Sequence, residues 1–387
     1  MKVLLIGEYN RSHYFLKDGL RQLGHEATVV GLRDGFKRVD VDIEIKNYFN
    51  QNWLLINIQK FFKQILGIDL YSASIWLQLL RIKKQLQGYD VVQLINETPF
   101  QCDAKKSTKI FNLLHQNNRK IFLLSCGDDY TSIAYAYNQK PRYSILSAYF
   151  NNKVPKEHFS YSFKYLKPEF KIHHEHLYKN IKGVIASDLD YHYPLLNNSK
   201  YLGMIPNPIK ISDFEYQPLA ITDKLVIFHG INRANYFKKG NDIFEEALKI
   251  VGTKYAAQIQ IITVENLPYK EYITAFNKAH ILLDQVYAYD QGFNALEAMA
   301  KGKVVFTGAE KEWTDWYNLE EDSVAINALP DALAIAKKLE WLIVNPDKII
   351  EISKNARAFI EREHDHILSS KKYLNTWQTI TTHQSEI

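Results

Sequence analysis

Cysteine is almost absent from this chain of 387 residues, which contains only Cys102 and Cys126. Two thiols cannot build a disulfide framework, which excludes small disulfide-stabilised secreted folds and predicts a cytoplasmic protein. No run of about 18 apolar residues occurs, so we expect no transmembrane helix. The opening segment MKVLLIGEYN does not resemble a secretory signal peptide, because its apolar run stops after Ile6.

A strong excess of charge is also lacking, since 48 basic and 43 acidic residues leave a formal net charge of +5. That excess is too small for a nucleic-acid-binding surface, but it is compatible with phosphorylated substrates or an anionic membrane. Hydrophobic residues make up 46% of the chain and charged residues 24%, which excludes a mostly disordered or fibrous protein. At about 150 residues per domain, the length predicts two to three domains.

Common cofactor motifs are missing as well. Neither a Walker Gly-Lys-Ser/Thr loop nor a Gly-x-Gly-x-x-Gly fingerprint is present, which disfavours ATPases and classical dehydrogenases. Residues 173–176 (HHEH) and 364–366 (HDH) are rich in metal-binding types, but His174 and His176 do not share a helix face. We therefore expect no metal. Cys126 is either a reactive thiol in a loop or a buried apolar side chain.

What the chain does contain is an alternation of buried strands and helices, typical of parallel α/β sheets. Strands are predicted at 3–6, 27–30, 90–94, 120–125 and 183–187, the last closing the first half. The prolines around 203–222 indicate a linker, and further strands are predicted at 225–228, 259–263, 281–284 and 304–306. The predicted domains are therefore 1–200 and 201–365, with a final helix in 366–387 packing back on the first domain.

Two aromatic-rich stretches depart from this alternation. In residues 43–86, apolar side chains alternate with lysine and arginine. One interpretation is an ordinary amphipathic helix packed on the sheet; the other is peripheral contact with an anionic membrane, such as the inner face of the plasma membrane. Residues 130–170 read as an irregular insertion over the crevice, serving as a lid or an acceptor wall.

The first candidate for chemistry is the loop in FHGINRANYFKKGNDIF, residues 228–244. Arg233 offers a planar fork of donors, Lys239 a point charge, and the backbone near Gly230 further N–H groups, so the loop suits a nucleoside diphosphate. A basic loop before a helix is also a common solvated surface feature, and that alternative stays open.

The second candidate is LLDQVYAYDQGFNALEAMAKGKVVF, residues 282–306, where a helix opens after a buried strand. Its amino terminus, near Gly292, Phe293 and Asn294, would point N–H groups at a diphosphate. Glu297 in its first turn would accept hydrogen bonds from a ribose diol. The alternative is that Glu297 merely complements the helix dipole.

Together these stretches resemble the retaining glycosyltransferases of the GT-B fold, specifically glycosyltransferase group 1, also called family 4. The resemblance rests on the order strand–Gly–Arg–Lys-Gly–helix, then Asp–Gly-Phe–Leu-Glu-Ala-Met-Ala, then Gly-x-Val-Val. It implies an α/β protein with two Rossmann-like domains facing each other across a cleft. It also implies that Arg233 and Lys239 bind the donor diphosphate and Glu297 the donor ribose, with Gly7, Gly230 and 292–294 beside them.

The chain departs from this family in two places. A glutamate that usually contacts the sugar would fall at Tyr289, so the contact passes to Asp290, to Gln291 or to the backbone of 292–294. A histidine common in the first domain is also missing, and Asp128 or Asp129 would orient the acceptor hydroxyl instead. The alternative for this aspartate pair is capping of a helix.

The implied activity is hexosyl transfer with retention from a UDP- or GDP-linked sugar to a glycan or lipid-linked acceptor in cell-surface polysaccharide synthesis, without metal or other cofactor. Two alternatives remain. One is an inactive sugar-nucleotide-binding or assembly subunit, favoured by the missing glutamate. The other is a nucleotide-sugar epimerase using Glu8, Asp128 and Asp129.

Overall fold

The computed structural model describes residues 1–33, 37, 39–49 and 52–382. Residues 50 and 51 of the predicted amphipathic stretch, and 383–387 of the predicted final helix, lie outside the described residues. The strands are β1 Lys2–Ile6, β2 Glu26–Gly31, β3 Ile43–Glu44, β4 Val91–Leu94, β5 Ile121–Ser125, β6 Gly183–Ala186, β7 Tyr201–Met204, β8 Leu225–Ile231, β9 Ile259–Glu265, β10 Ile281–Leu283, β11 Val304–Thr307 and β12 Ile326–Asn327.

Helices connect and cover these strands. They are α1 Ser12–Gln22, α2 Trp53–Leu66, α3 Leu70–Arg81, α4 Ala104–Asn117, α5 Tyr130–Tyr137, α6 Ser147–Phe150, α7 Ser160–Phe163, α8 Pro168–Asn180, α9 Leu189–Leu195, α10 Tyr236–Lys239, α11 Asn241–Lys254, α12 Tyr269–Asn277, α13 Phe293–Ala300, α14 Lys311–Tyr317, α15 Ala332–Val344, α16 Pro346–Glu363 and α17 His366–Thr382.

Among the described residues the strands form two parallel sheets, with orders β3-β2-β1-β4-β5-β6-β7 and β12-β11-β10-β8-β9. Central strands such as VVQL in β4 and IFLLS in β5 are buried at every position. Helices cover both faces of such sheets, so their strands read as continuous apolar runs rather than as alternating patterns. This is the predicted α/β architecture of two Rossmann-like domains.

The prediction that residues 183–187 form the last strand of the first half is wrong. β7 extends the first sheet beyond residue 200 by pairing in parallel with β6, so the linker begins after Met204. Every residue of β7 is only partly buried, and Gly203 adopts a φ of 100°. An edge strand of this kind carries no continuous apolar signal, which is why the pattern missed it.

Further elements were not predicted from the sequence. Among them are the two-residue strands β3 and β12 and the helices α4, α9 and α14. The predicted irregular insertion at 130–170 instead contains α5, α6, α7 and the start of α8. Its aromatic side chains are spaced closely enough to pack on one another, as Tyr149 does on Phe159 and Phe163.

The chain returns to its first domain through α17, which packs against α1. The approach is close, because a Cβ added to Gly19 would lie 2.5 Å from the backbone oxygen of His366. Tyr373 and Trp377 are buried in the core of the first sheet, and the Trp377 indole donates to the Gln93 side chain of β4 at 3.2 Å. The last helix therefore belongs to the packing of the first sheet.

Candidate functional site

A cavity of about 1090 Å³ lies between the two sheets, at the carboxyl ends of their strands. Glu8 and Asp128 line it from the first domain, and Lys238, Gly292 and Phe293 line it from the second. In parallel α/β sheets this edge is where ligands bind, because the loops after the strands converge there. The interdomain cavity is therefore the candidate site.

An ion pair crosses this cavity. The Lys238 ammonium lies 2.8 Å from Oδ2 of Asp128, and both side chains are mostly buried. The same carboxylate oxygen accepts a hydrogen bond from the Ser162 hydroxyl of α7. Sequence analysis placed Asp128 in the site but selected Lys239 rather than Lys238. The adjacent lysine is the one that reaches the first domain.

Lys239 takes a different direction and joins the end of β10 to the start of α13. Its ammonium lies 2.8 Å from Oδ1 of Asp284, which also accepts from the Asn294 side chain at 3.2 Å. Oδ2 of Asp284 is buried and has no hydrogen-bond partner among the described residues. The two stretches that the sequence singled out thus meet at one polar cluster, which we call the Lys239 cluster (Lys239, Asp284, Asn294).

Glycines permit the close approach of these loops. Gly240 has a φ of 70°, and a Cβ there would lie 2.8 Å from Cβ of Val286. Gly7 has a φ of 87°, and a Cβ there would lie 2.3 Å from the Ile95 side chain. Both backbones occupy the left-handed region that glycine enters without strain. Gly230 packs beneath Tyr272, where a Cβ would lie 2.8 Å from the ring.

Glu297 is buried at the interface of the two domains. Its Oε1 lies 2.8 Å from the Lys37 ammonium and 3.5 Å from the Arg11 guanidinium. Arg11 holds a left-handed φ of 76° at the start of α1 and also donates to the Tyr269 hydroxyl at 3.2 Å. The predicted ribose-binding carboxylate is therefore covered by two cations of the first domain that sequence analysis missed.

Arg233 lies on the surface, away from the Lys239 cluster. Its guanidinium forms two hydrogen bonds of 2.6 Å with the Glu265 carboxylate, and both side chains are largely exposed. This bidentate pair raises the pKa of Arg233 further above its ordinary value. To bind a diphosphate, Arg233 has to exchange Glu265 for the phosphate.

The carboxylate of Asp290 takes part in hydrogen bonds that connect the two domains. It accepts backbone N–H groups from Leu189 at 3.0 Å and Gln291 at 2.7 Å, while Asp190 accepts those of Tyr289 and Asp290. Burial raises the pKa of Asp290 to about 6 and that of Asp190 to about 7. The structure therefore does not favour a sugar contact by Asp290, because both its oxygens hold backbone groups.

Asp129 caps α5, as one of the two interpretations anticipated. Its carboxylate accepts from the Ser132 backbone at 2.7 Å and the Ser125 hydroxyl at 2.6 Å. Burial and the nearby Glu97 carboxylate raise the pKa of Asp129 to about 6. The capping interpretation thus describes Asp129, whereas Asp128 faces the cavity.

His173, His174 and Cys126 lie in environments typical of structural rather than catalytic side chains. His173 bonds the Thr108 hydroxyl and the Glu97 carbonyl, and His174 contacts the Glu97 carboxylate at 2.6 Å. The described part of the chain contains no group of three or more side chains arranged to hold a metal ion. Burial raises the pKa of Cys126 to about 12, so it is a thiol rather than a reactive thiolate at neutral pH.

The insertion at 130–170 contacts the second domain through ion pairs and hydrogen bonds. Arg142 lies 2.8 Å from the Glu310 carboxylate and 2.6 Å from that of Glu312. Tyr143 also donates to Glu310, and Arg142 lies over the Tyr289 ring. Tyr289 thus stands in an interdomain contact at the position where the resemblance expected a sugar-binding glutamate.

The chain is similar to a known protein family over part of its sequence and to solved structures over nearly its whole length. A family model described as glycosyl transferase-like matches residues 233–372. HepE from Anabaena, solved with UDP and glucose, aligns at 13% identity and a TM-score of 0.58, covering 98% of this chain and 99% of that one. Sucrose-phosphate synthase from Thermosynechococcus elongatus aligns at 12% identity and 0.59, covering 99% and 100%.

A putative UDP-N-acetylglucosamine 2-epimerase from Listeria monocytogenes also aligns, at 12% identity and a TM-score of 0.53, covering 100% and 97%. No curated protein matches the chain. At such low identities these likenesses show the fold alone. The two facing parallel sheets are the GT-B fold, and the family model confirms the resemblance to group 1 glycosyltransferases over residues 233–372.

Proposed function

We propose that this protein is a retaining glycosyltransferase of the family 4 type, moving a hexosyl group from a nucleoside-diphosphate sugar to a glycan or lipid-linked acceptor. We place this reaction in the cytoplasm, in cell-surface polysaccharide synthesis. The observation that carries the proposal is the Lys239 cluster, which joins a lysine to the first turn of α13, next in sequence to the cavity-lining residues Lys238 and Phe293.

The donor diphosphate binds between Lys239 and the amino end of α13. A helix amino terminus presents unpaired N–H groups and partial positive charge, which favours phosphate. Lys238 supplies a further cation from within the cavity, and Arg233 joins when it exchanges Glu265 for phosphate. HepE was crystallised with UDP, which makes a uridine nucleotide the first donor to test.

Glu297 receives the donor ribose. Its carboxylate contacts Lys37 and Arg11, and two ribose hydroxyls would replace those contacts with charge-assisted hydrogen bonds. The displaced cations lie on the first domain, so they remain available to anionic parts of the donor. Donor binding then couples directly to the relative position of the domains.

Rate acceleration comes mainly from charge stabilisation. As the bond between sugar and phosphate breaks, negative charge develops on the leaving diphosphate, beside the lysines and the α13 terminus. That diphosphate takes up the acceptor proton, and Asp128 orients the acceptor hydroxyl. Closure of the two domains over the bound donor would exclude water from the cavity and so limit donor hydrolysis.

A thermal-shift screen with UDP, GDP, CDP, ADP and dTDP tests the donor site. A ligand that binds only the folded protein raises the melting temperature in proportion to the logarithm of its concentration over Kd. We expect one nucleotide to give a shift that Glu297→Ala abolishes, and the matched nucleotide sugar to release its diphosphate when acceptor is present. A shift with none of them, at saturating concentrations, argues against the donor site.

An epimerase is a second candidate, since the Listeria neighbour is described as a putative one and the carboxylates of Glu8 and Asp128 line the same cavity. The two reactions differ in their products. A transferase releases free nucleoside diphosphate and needs an acceptor, whereas an epimerase converts one nucleotide sugar into another without acceptor. Separation of the nucleotide products by anion-exchange chromatography distinguishes them.

A further inference from the structure

Helix α2 (Trp53–Leu66) has no buried residue, although it is the most apolar part of the stretch 43–86. The next helix, α3, behaves as the sheet-packing interpretation expects, because Tyr71, Ile75 and Leu79 enter the core. α2 contacts α3 but leaves most of its apolar side chains in solvent. An amphipathic helix with its apolar face outward requires a different partner from the sheet.

The exposed side chains form one continuous face. Leu54, Ile58, Phe61 and Ile65 are separated by four, three and four residues, a spacing that aligns side chains along a helix. All four are exposed, Ile65 by 64%, and Trp53 at the amino end by 77%. The apolar face thus runs the length of the helix and begins with a tryptophan, a residue that favours membrane interfaces.

Basic residues outnumber acidic ones in the stretch that carries this face. Residues 46–86 contain six lysines and arginines but only one acidic residue, Asp69, which pairs with Lys63 at 2.8 Å. Of the chain's 48 basic and 43 acidic residues, 42 of each remain outside this stretch. The stretch therefore carries a local net charge of +5, which complements an anionic surface.

The helix also stands beside the candidate site. Tyr48, which precedes α2, and Tyr71, which follows it, both line the interdomain cavity. α2 therefore lies in a segment that begins and ends at cavity-lining residues, at the edge of the first domain. A surface bound by α2 would lie near the opening through which an acceptor enters.

We propose that α2 is a membrane-docking helix that inserts its apolar face into the interfacial region of a bilayer rich in anionic lipid. The apolar face supplies burial, and the surrounding lysines and arginines supply attraction to lipid phosphates. The orientation brings the cavity edge at Tyr48 and Tyr71 to the membrane surface. This binding needs no donor and is independent of the proposed reaction.

The test is co-sedimentation of the full-length protein with large unilamellar vesicles, without nucleotide. We expect binding to phosphatidylcholine vesicles that contain phosphatidylglycerol and at least tenfold weaker binding to phosphatidylcholine alone, with loss of the difference at high salt. The double variant Phe61→Ser/Ile65→Ser should reduce binding by about tenfold or more, since two large apolar side chains are removed.

A matched control is Ile172→Ser/Leu196→Ser, which removes two equally exposed apolar side chains of the same domain. It should bind vesicles like the wild type, and both variants should keep the wild-type melting temperature because the altered side chains are exposed. The proposal is overturned if the protein ignores anionic vesicles or if the α2 variant binds them normally. It is also overturned if sedimentation velocity shows a dimer that Phe61→Ser/Ile65→Ser dissociates, because a second copy then covers the face.

Discussion

Neutralising Asp128 should strengthen nucleotide binding while weakening sugar transfer. The Asp128 carboxylate lies 2.8 Å from the Lys238 ammonium at the wall of the cavity. If the donor diphosphate approaches that ammonium, it also approaches a like charge, and it has to compete with the carboxylate for the lysine. Asp128→Asn removes both the competition and the repulsion, and it keeps the shape of the side chain.

The magnitude follows from the ion-pair geometry. A phosphate oxygen bonded to Lys238 would lie about 5 Å from the carboxylate, and two unit charges at that distance repel by about 1 to 3 kcal/mol at an effective dielectric constant between 80 and 20. Removal of this repulsion predicts a Kd for UDP lower by about fivefold to a hundredfold. The effect should shrink with rising salt, since the cavity is open to solvent.

Isothermal titration calorimetry with UDP measures the affinity, and release of UDP from its sugar nucleotide with and without acceptor measures turnover. Because Asp128 is assigned to the acceptor hydroxyl, transfer should fall although donor binding improves. The control Asp242→Asn breaks another interdomain ion pair, to Lys153 at 2.8 Å, outside the cavity lining. UDP affinity that is unchanged or weaker in Asp128→Asn, or equally raised in Asp242→Asn, would refute the assignment of Lys238.

Three further predictions concern the donor site, the pH dependence and the packing. Lys239→Met should weaken UDP binding by about tenfold or more in calorimetry. Arg233→Ala should weaken it by less, because Arg233 must first give up its contact with Glu265 before it binds phosphate. A larger loss in Arg233→Ala than in Lys239→Met would contradict the assignment of the diphosphate to Lys239. Burial raises the pKa of Asp190 to about 7, so the folded protein keeps a proton that the unfolded chain loses above about pH 4, and stability falls as pH rises to about 7. Asp190→Asn removes this loss, so its melting temperature should rise relative to that of the wild type between about pH 4 and 7; a difference that does not depend on pH would exclude the raised pKa of Asp190. Gly19→Ala should cost about 1 to 3 kcal/mol of unfolding free energy through its clash with α17, despite a helix-propensity gain of about 1 kcal/mol. In Gly252→Ala, whose added Cβ would meet only a flexible side-chain end at 3.2 Å, chemical denaturation should detect no such loss.

The sequence signals for the proposed donor site are local, and for that reason its loops could be predicted from the sequence. Asn294 lies in the first turn of the helix that follows a buried strand and Glu297 in its second turn, and Gly240 marks a turn that needs a positive φ. Each of these features is written in a short run of residues. The cations that face Glu297 were not predictable in this way, because Lys37 and Arg11 are 260 and 286 residues away in the chain.

Lys238 and Lys239 also show that local sequence does not predict which distant residue a side chain contacts. The sequence presents Lys238 and Lys239 as equivalent, and family resemblance selected the second. In the structure one reaches Asp128 of the first domain and the other Asp284 of the second. Their directions depend on the turn of α10 and on which domain lies opposite, and neither is a property of the local sequence.

The sequence by itself determined the alternation of strands and helices, the two-domain GT-B architecture and the two loops of the proposed donor site, because burial and turn chemistry act over a few residues. Tertiary structure alone decided which polar groups meet across the cleft: Asp290 holds the backbone of α9, and Asp128 holds Lys238. It also decided that α3 enters the core and α2 stays outside. Both helices are amphipathic, and only the space left by the rest of the fold distinguishes a face that is buried from one that is free.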